Sequence, residues 1–219
     1  MNTDSNNVEE ILPVLGLART VLYPGMQCTL LLANLKAFGA VREALRSAGR
    51  PLVAVCGSSD MQHTQETDVF STGVLAEILD LRSHSSGLWL TELRTQSRVS
   101  IGKLLRAEPF RLARVNPIRD EAEPEEDLKN LVNEIQLRLI ELKRKAPRCT
   151  VARTTLEALA LAATTDARVS SLMSCLHILP LSEQQDVLER PRRSQRLDAV
   201  LAALENRIRS YPRTAQVLV

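Results

Sequence analysis

Four cysteines, three histidines, five lysines and a run of arginines are the side chains of this 219-residue sequence with the reach for nucleophilic, metal or phosphate chemistry. Cys28, Cys56, Cys149 and Cys175 form no Cys-x-x-Cys pair, so neither a zinc knuckle nor a disulfide framework is indicated, and they read as buried or inert thiols. His63 and His84 stand in polar stretches and are expected to face solvent. His177, between Leu176 and Ile178, has no second ligand at i+3 or i+4 and reads as a helix-end residue rather than a metal ligand. Phosphate binding by a Walker loop requires a glycine five residues before Gly-Lys and a Ser or Thr after it. The sole Gly-Lys pair, Gly102-Lys103, has Ser97 and Leu104 at those places. No Gly-x-Gly fingerprint and no Gly-x-Ser-x-Gly elbow is present. Nothing in the sequence calls for catalysis, a cofactor or a metal.

The concentrated charge feature is Arg190-Pro191-Arg192-Arg193, followed by Arg196. Such a cluster suits a nucleic acid or an acidic partner surface. Glu189 and Asp198 bracket it, however, and favour a solvated interhelical loop. A net charge of +2 and an aromatic share of 3% leave little electrostatic footprint or base-stacking surface, which argues against nucleic acid as a partner.

The elements that must position these residues differ between the two halves. All eight glycines lie within the first 102 residues, where they serve the turns of a strand-rich fold, and the remainder has none. Strands are expected near 11–17, 27–33, 51–56, 70–82, 88–96, 98–107 and 109–117. One helix is capped by Asn34, carries Leu35, Phe38, Val41 and Leu45 as its apolar stripe, and stops at Gly49-Arg50-Pro51. Many short strands around a single helix predict a small twisted barrel. Residues 119–127 have no apolar periodicity and read as an acidic linker running into a helix start.

Beyond the linker, Leu128, Leu131, Val132, Ile135, Leu139 and Leu142 form one helical stripe. Leu156, Leu159, Ala160 and Ala163 form a second, and Val169, Leu172, Met173 and Leu176 a third. Ser182 and Gln185 suggest a capping box opening a short helix. Leu197, Val200, Leu201, Leu204 and Ile208 complete a five-helix bundle. The division is then 1–118, a linker at 119–127, and 128–219.

The run from Leu12 to Met26 orders an apolar strand Pro13-Val14-Leu15-Gly16-Leu17, a polar break and a Tyr23-Pro24-Gly25 turn. It resembles the opening of the Lon substrate-binding domain. Further resemblance lies in Gly73 to Leu81, in Arg98-Val99-Ser100-Ile101, in Glu108-Pro109-Phe110 and in the segment from His177 to Glu189. The order of these segments covers most of residues 11–208. Two departures stand out: Gly16 replaces the family's usual proline, and Thr95 its usual glycine. The resemblance implies an α+β fold, a PUA-like β-barrel of the Lon N-terminal type with one helix, followed by an all-α bundle.

The same resemblance implies a non-catalytic module that recognises unfolded or damaged client proteins for ATP-dependent Lon-type proteolysis. A cytoplasmic setting is expected, since the first ten residues lack a secretory pattern and no apolar run reaches membrane-spanning length. Pro212 interrupts the last helix and favours a free-standing Lon-domain protein over a truncated protease. Capture of clients needs apolar side chains on exposed loops, which points to Tyr23, Pro24 and Met26 and, more weakly, Trp89. Two other readings are an assembly module that docks on a Lon hexamer or self-associates, and an RNA-binding PUA-like module.

Overall fold

Alternating apolar residues shape the first half of the chain into a closed sheet. The computed structural model describes residues 10–32, 34–56 and 70–211, so His63 and Pro212 lie outside the described residues. The chain divides into two compact units, Met1–Arg119 and Asp120–Val219. The first holds β1 (Glu10–Leu17), β2 (Gln27–Leu32), α1 (Leu35–Ala44), β3 (Pro51–Cys56), β4 (Thr72–Ser83), β5 (Trp89–Arg106) and β6 (Arg111–Ile118). The strand order is β2-β5-β4-β3-β1-β6, and an added β5–β6 pairing closes five strands into a ring with β2 outside it. Among the described residues β1 and β3 pair in parallel, and the other pairs are antiparallel.

β5 is one strand where the sequence predicts two, at 88–96 and 98–107. The register with β4 shifts between Val74 and Ala76, opposite the step from Thr95 to Arg98. Gln96 and Ser97 therefore sit in a bulge, which bends a strand without ending it. The bend lets β5 pair with β2 through its first half and with β6 through its second. One apolar cluster joins Leu12, Val14, Val53, Val55, Val99, Ala113 and Val115 from four of the strands.

Helix α1 begins as expected, with the Asn34 side chain accepting a hydrogen bond from Ala37 N at 2.8 Å. Its buried face is rotated from the expected stripe. Ala37, Ala40, Val41 and Ala44 are buried, whereas Leu35 is 86% exposed. The small alanines allow close approach to the sheet. A Cβ at Gly39 would lie 3.2 Å from the Phe110 ring, so the larger side chains are turned outward.

The second unit holds α2 (Glu125–Lys145), α3 (Thr150–Leu161), α4 (Thr165–Met173), a 3-10 turn (Ser174–Ile178), α5 (Leu181–Glu189) and α6 (Arg193–Ser210). Leu128, Val132, Ile135, Leu139 and Leu142 of α2 are buried, as are Leu197, Val200, Leu204 and Ile208 of α6. The expected capping box does not form. Pro180 is the residue before α5, so Ser182 lies inside the helix, and Gln184 donates to Leu179 O at 2.8 Å instead. His177 is exposed in the 3-10 turn.

Arg190, Pro191 and Arg192 form the expected loop between α5 and α6, but the arginines of the cluster are paired. Arg196, nearly fully buried, grips Asp120 with both terminal nitrogens at 2.5 and 3.1 Å, and Arg192 donates to Glu121 at 2.6 Å. Arg193 pairs with Asp166. Glu123 accepts from the backbone N–H groups of Arg193 and Ser194 at 2.8 and 3.2 Å. The N-cap of α6, Arg192, makes no cap bond of its own, so a carboxylate 70 residues away fills that role. The acidic stretch read as a linker is thus the partner of the arginines. No helix among the described residues is long and apolar enough to cross a membrane.

Candidate functional site

The turn Tyr23-Pro24-Gly25-Met26 is built around Thr95. The Thr95 hydroxyl donates to Tyr23 O at 2.6 Å and accepts from Met26 N at 2.8 Å. Thr95 N donates to Met26 O at 2.8 Å, and Gly25 N donates to Thr95 O at 3.1 Å. Gly25 has φ +80°, a conformation that side chains resist, which explains a glycine there. A glycine at position 95 offers no hydroxyl, so this departure from the family pattern ties the turn to β5.

Tyr23 has no exposed surface, and burial pushes its hydroxyl pKa upward. Pro24 and Met26 are half-buried, and the Met26 sulfur lies 3.3 Å from Tyr23 N, folded back on its own turn. Trp89 lies at the other end of the β2–β5 ribbon. Gln27 pairs with Arg94 near Met26, whereas Leu32 pairs with Trp89. The four candidate residues therefore divide into a locked turn and a distant tryptophan.

Around Trp89 the surface is apolar. Its indole, 38% exposed, stacks at a tilt on Phe38 with centroids 5.0 Å apart. Leu35, one helical turn before Phe38, is exposed, as is Leu88; Leu31 is exposed too, on the opposite face of β2 from Leu32, the partner of Trp89. Leu35 also borders a cavity of about 500 Å³ lined by Val14, Gly16, Asn34, Lys36, Ala37 and Arg111. Sequence reasoning placed Leu35 and Phe38 in the core and passed over Arg111. The alanines at positions 37, 40 and 44, spaced as a helical face, are the signal that locates the buried side correctly.

Among the described residues no group of His, Cys, Asp and Glu could hold a metal ion. Cys28, Cys149 and Cys175 are free. Burial pushes the Cys175 thiol up to about 11, against a smaller opposing hydrogen bond with Thr155, and also raises that of Cys28. Both stay protonated near neutrality and are poor nucleophiles.

The first unit is a closed barrel with one helix and exposed apolar side chains, and a helical bundle follows it in sequence. Residues 11–206 match the family described as the ATP-dependent protease La (LON) substrate-binding domain, and the chain belongs to that family. It is 34% identical over 143 residues to Lon protease 1 of Sorangium cellulosum, covering 61% of this chain and 17% of that protein. It is 27% identical over 212 residues to Lon protease of Vibrio parahaemolyticus, covering 95% of this chain and 26% of that protein. The chain thus spans about a quarter or less of these relatives. The solved N-terminal domain of Mycobacterium avium complex Lon protease shares the fold, with TM-score 0.69 and 22% identity over 90% of this chain and 99% of that one. A Lon N-terminal domain protein from Xanthomonas campestris does so with TM-score 0.56 and 18% identity over 88% and 98%.

Proposed function

We propose that the first unit captures unfolded or damaged client proteins for Lon-type ATP-dependent proteolysis. The contact surface is the apolar ridge of Leu35, Phe38, Leu88 and Trp89. The observation that carries this reading is Leu35, a leucine 86% exposed at the edge of a cavity and one turn from a half-exposed aromatic pair. Burying one leucine side chain is worth about 1.5–3 kcal/mol, enough for weak, sequence-tolerant holding that still permits release. The Tyr23-Pro24-Met26 turn supports the surface through β2 and β5, and of the turn and Trp89 it is Trp89 that offers ring surface to a client.

The test is binding of a carboxymethylated, unfolded protein and of its folded parent to the wild type, Leu35→Asp and Met26→Asp. Preference for the unfolded form, weakened about tenfold or more by Leu35→Asp, is the expected result. Equal and negligible binding of both forms refutes client capture. A loss confined to Met26→Asp moves the contact to the turn.

The assembly reading also has an observation in its favour. Leu137 and Ile140 stand three residues apart on α2, and both are exposed. A shift in oligomer size on Leu137→Asp would support it. The RNA reading, which rests on the PUA-like barrel, gains nothing from the arginine cluster, because Asp120, Glu121 and Asp166 pair with arginines that would meet phosphate.

A further inference from the structure

β6 begins at Arg111, paired with Val14, but β1 continues for three more residues. Leu15, Gly16 and Leu17 pair with β3 on one side and have no β6 partner on the other. The chain just before Arg111 has turned away, burying Phe110 against α1 at Gly39. The cavity of about 500 Å³ opens here, with Val14, Gly16, Leu35, Ala37 and Arg111 among its walls. A second cavity of about 190 Å³ shares Val14 and Arg111.

The charges of this cavity are unevenly used. Lys36 is held by Glu108, and the Asn34 side chain is occupied with capping α1. Arg111, half-buried and lining both cavities, has no ion pair or hydrogen bond among the described residues. An apolar cleft with one unsatisfied guanidinium suits an apolar ligand that carries a carboxylate.

We infer that this cavity receives the C-terminal end of a client chain, its last apolar residues lying along the free edge of β1 and its terminal carboxylate on Arg111. The direction follows from the strand geometry. A segment in line with β6 and antiparallel to β1 runs with its C-terminus toward Arg111, where the existing strand blocks further chain. Only a chain that ends there fits. The opposite direction would set an ammonium group against the guanidinium. Free strand edges recognise extended peptides by backbone pairing, with pockets for alternate side chains.

This inference rests on the capture reading above and shares Leu35 with it, but Arg111 belongs to this contact alone, so the Arg111 variants separate the two. The test uses the whole 219-residue chain and a fluorescein-labelled peptide, Gly-Ser-Gly-Leu-Ile-Leu, as the free acid and as the C-terminal amide. Anisotropy is expected to show the acid binding about tenfold more tightly than the amide. Arg111→Gln should abolish the difference, and Arg111→Lys should keep most of it. The unfolded-protein binding that depends on Leu35 should survive Arg111→Gln.

Equal affinity for acid and amide, or a preference that persists in Arg111→Gln, overturns the inference and leaves the capture reading standing. Displacement of the peptide by equimolar octanoate overturns the peptide assignment in favour of a small organic acid. If Arg111→Gln does not fold, judged by far-ultraviolet circular dichroism, the wild-type and Arg111→Lys results decide. A tenfold acid preference without any Leu35-dependent capture supports carboxylate recognition at Arg111 and removes the apolar ridge as the contact for unfolded chain.

Discussion

Thr95→Val removes one hydroxyl while keeping the β-branched shape, and its cost can be worked from the turn it holds. The hydroxyl donates to the buried Tyr23 O and accepts from Met26 N. A net hydrogen bond contributes about 1 kcal/mol, and a buried partner left without one costs about 1–3 kcal/mol. Thr95 N to Met26 O and Gly25 N to Thr95 O are untouched, so the turn keeps its backbone frame. The expected destabilisation is about 3 kcal/mol, roughly 12 °C in the melting temperature of a unit this size. Trp89 is the sole tryptophan and lies in the same unit, so urea unfolding followed by indole fluorescence reads this unit selectively. Thr95→Ser, which keeps the hydroxyl and loses a methyl, should cost about 1 kcal/mol. A Thr95→Val effect below about 0.5 kcal/mol, or one equal to Thr95→Ser, would refute the view that the hydroxyl holds the turn.

Two further outcomes follow from the second unit. Glu123→Ala should destabilise it by about 1–2 kcal/mol through loss of the cap on α6, and Glu123→Gln by less, since an acceptor oxygen remains. Urea unfolding by circular dichroism at 222 nm checks this, and variants indistinguishable from wild type would exclude the cap. Cys175 binds its proton more tightly folded, at about 11, than unfolded, near the ordinary 9.0. Its contribution is therefore fully present below pH 9 and fades as pH rises toward 11, by roughly 1 kcal/mol per pH unit at most. Cys175→Ser should remove that part of the alkaline decline in a pH series of melting temperatures, leaving the decline from Cys28 and Tyr23. An unchanged slope would contradict the assignment.

The positions of β1, β2 and β3 were legible because their apolar runs end at clear turn residues, and α2 and α6 because their long stripes admit one buried face. β5 was misread because a bulge at Gln96 and Ser97 looks like a break in one dimension; only pairing with β4 shows that the strand continues. The face of α1 was misread for another reason. Leucine and phenylalanine outweigh alanine in any hydrophobicity count, yet the space between helix and sheet admits only the small residues. The same rotation hid the apolar ridge, since Leu35 and Phe38 had been placed in the core. The arginine cluster showed a charge but not its neutralisation, because Asp120 and Glu121 lie more than 70 residues away from their partners.

What the sequence by itself determined is the division into a strand-rich and a helical half, the family to which the chain belongs and the residues able to turn or cap. Those properties follow from local conformational preference and hydrophobic period, which neighbouring residues encode. Which leucine faces solvent, which carboxylate meets which arginine, and where β6 stops short of β1 were decided by the tertiary structure. Each depends on groups brought together from distant parts of the chain, where available volume and unpaired charge select among alternatives that local sequence leaves equal.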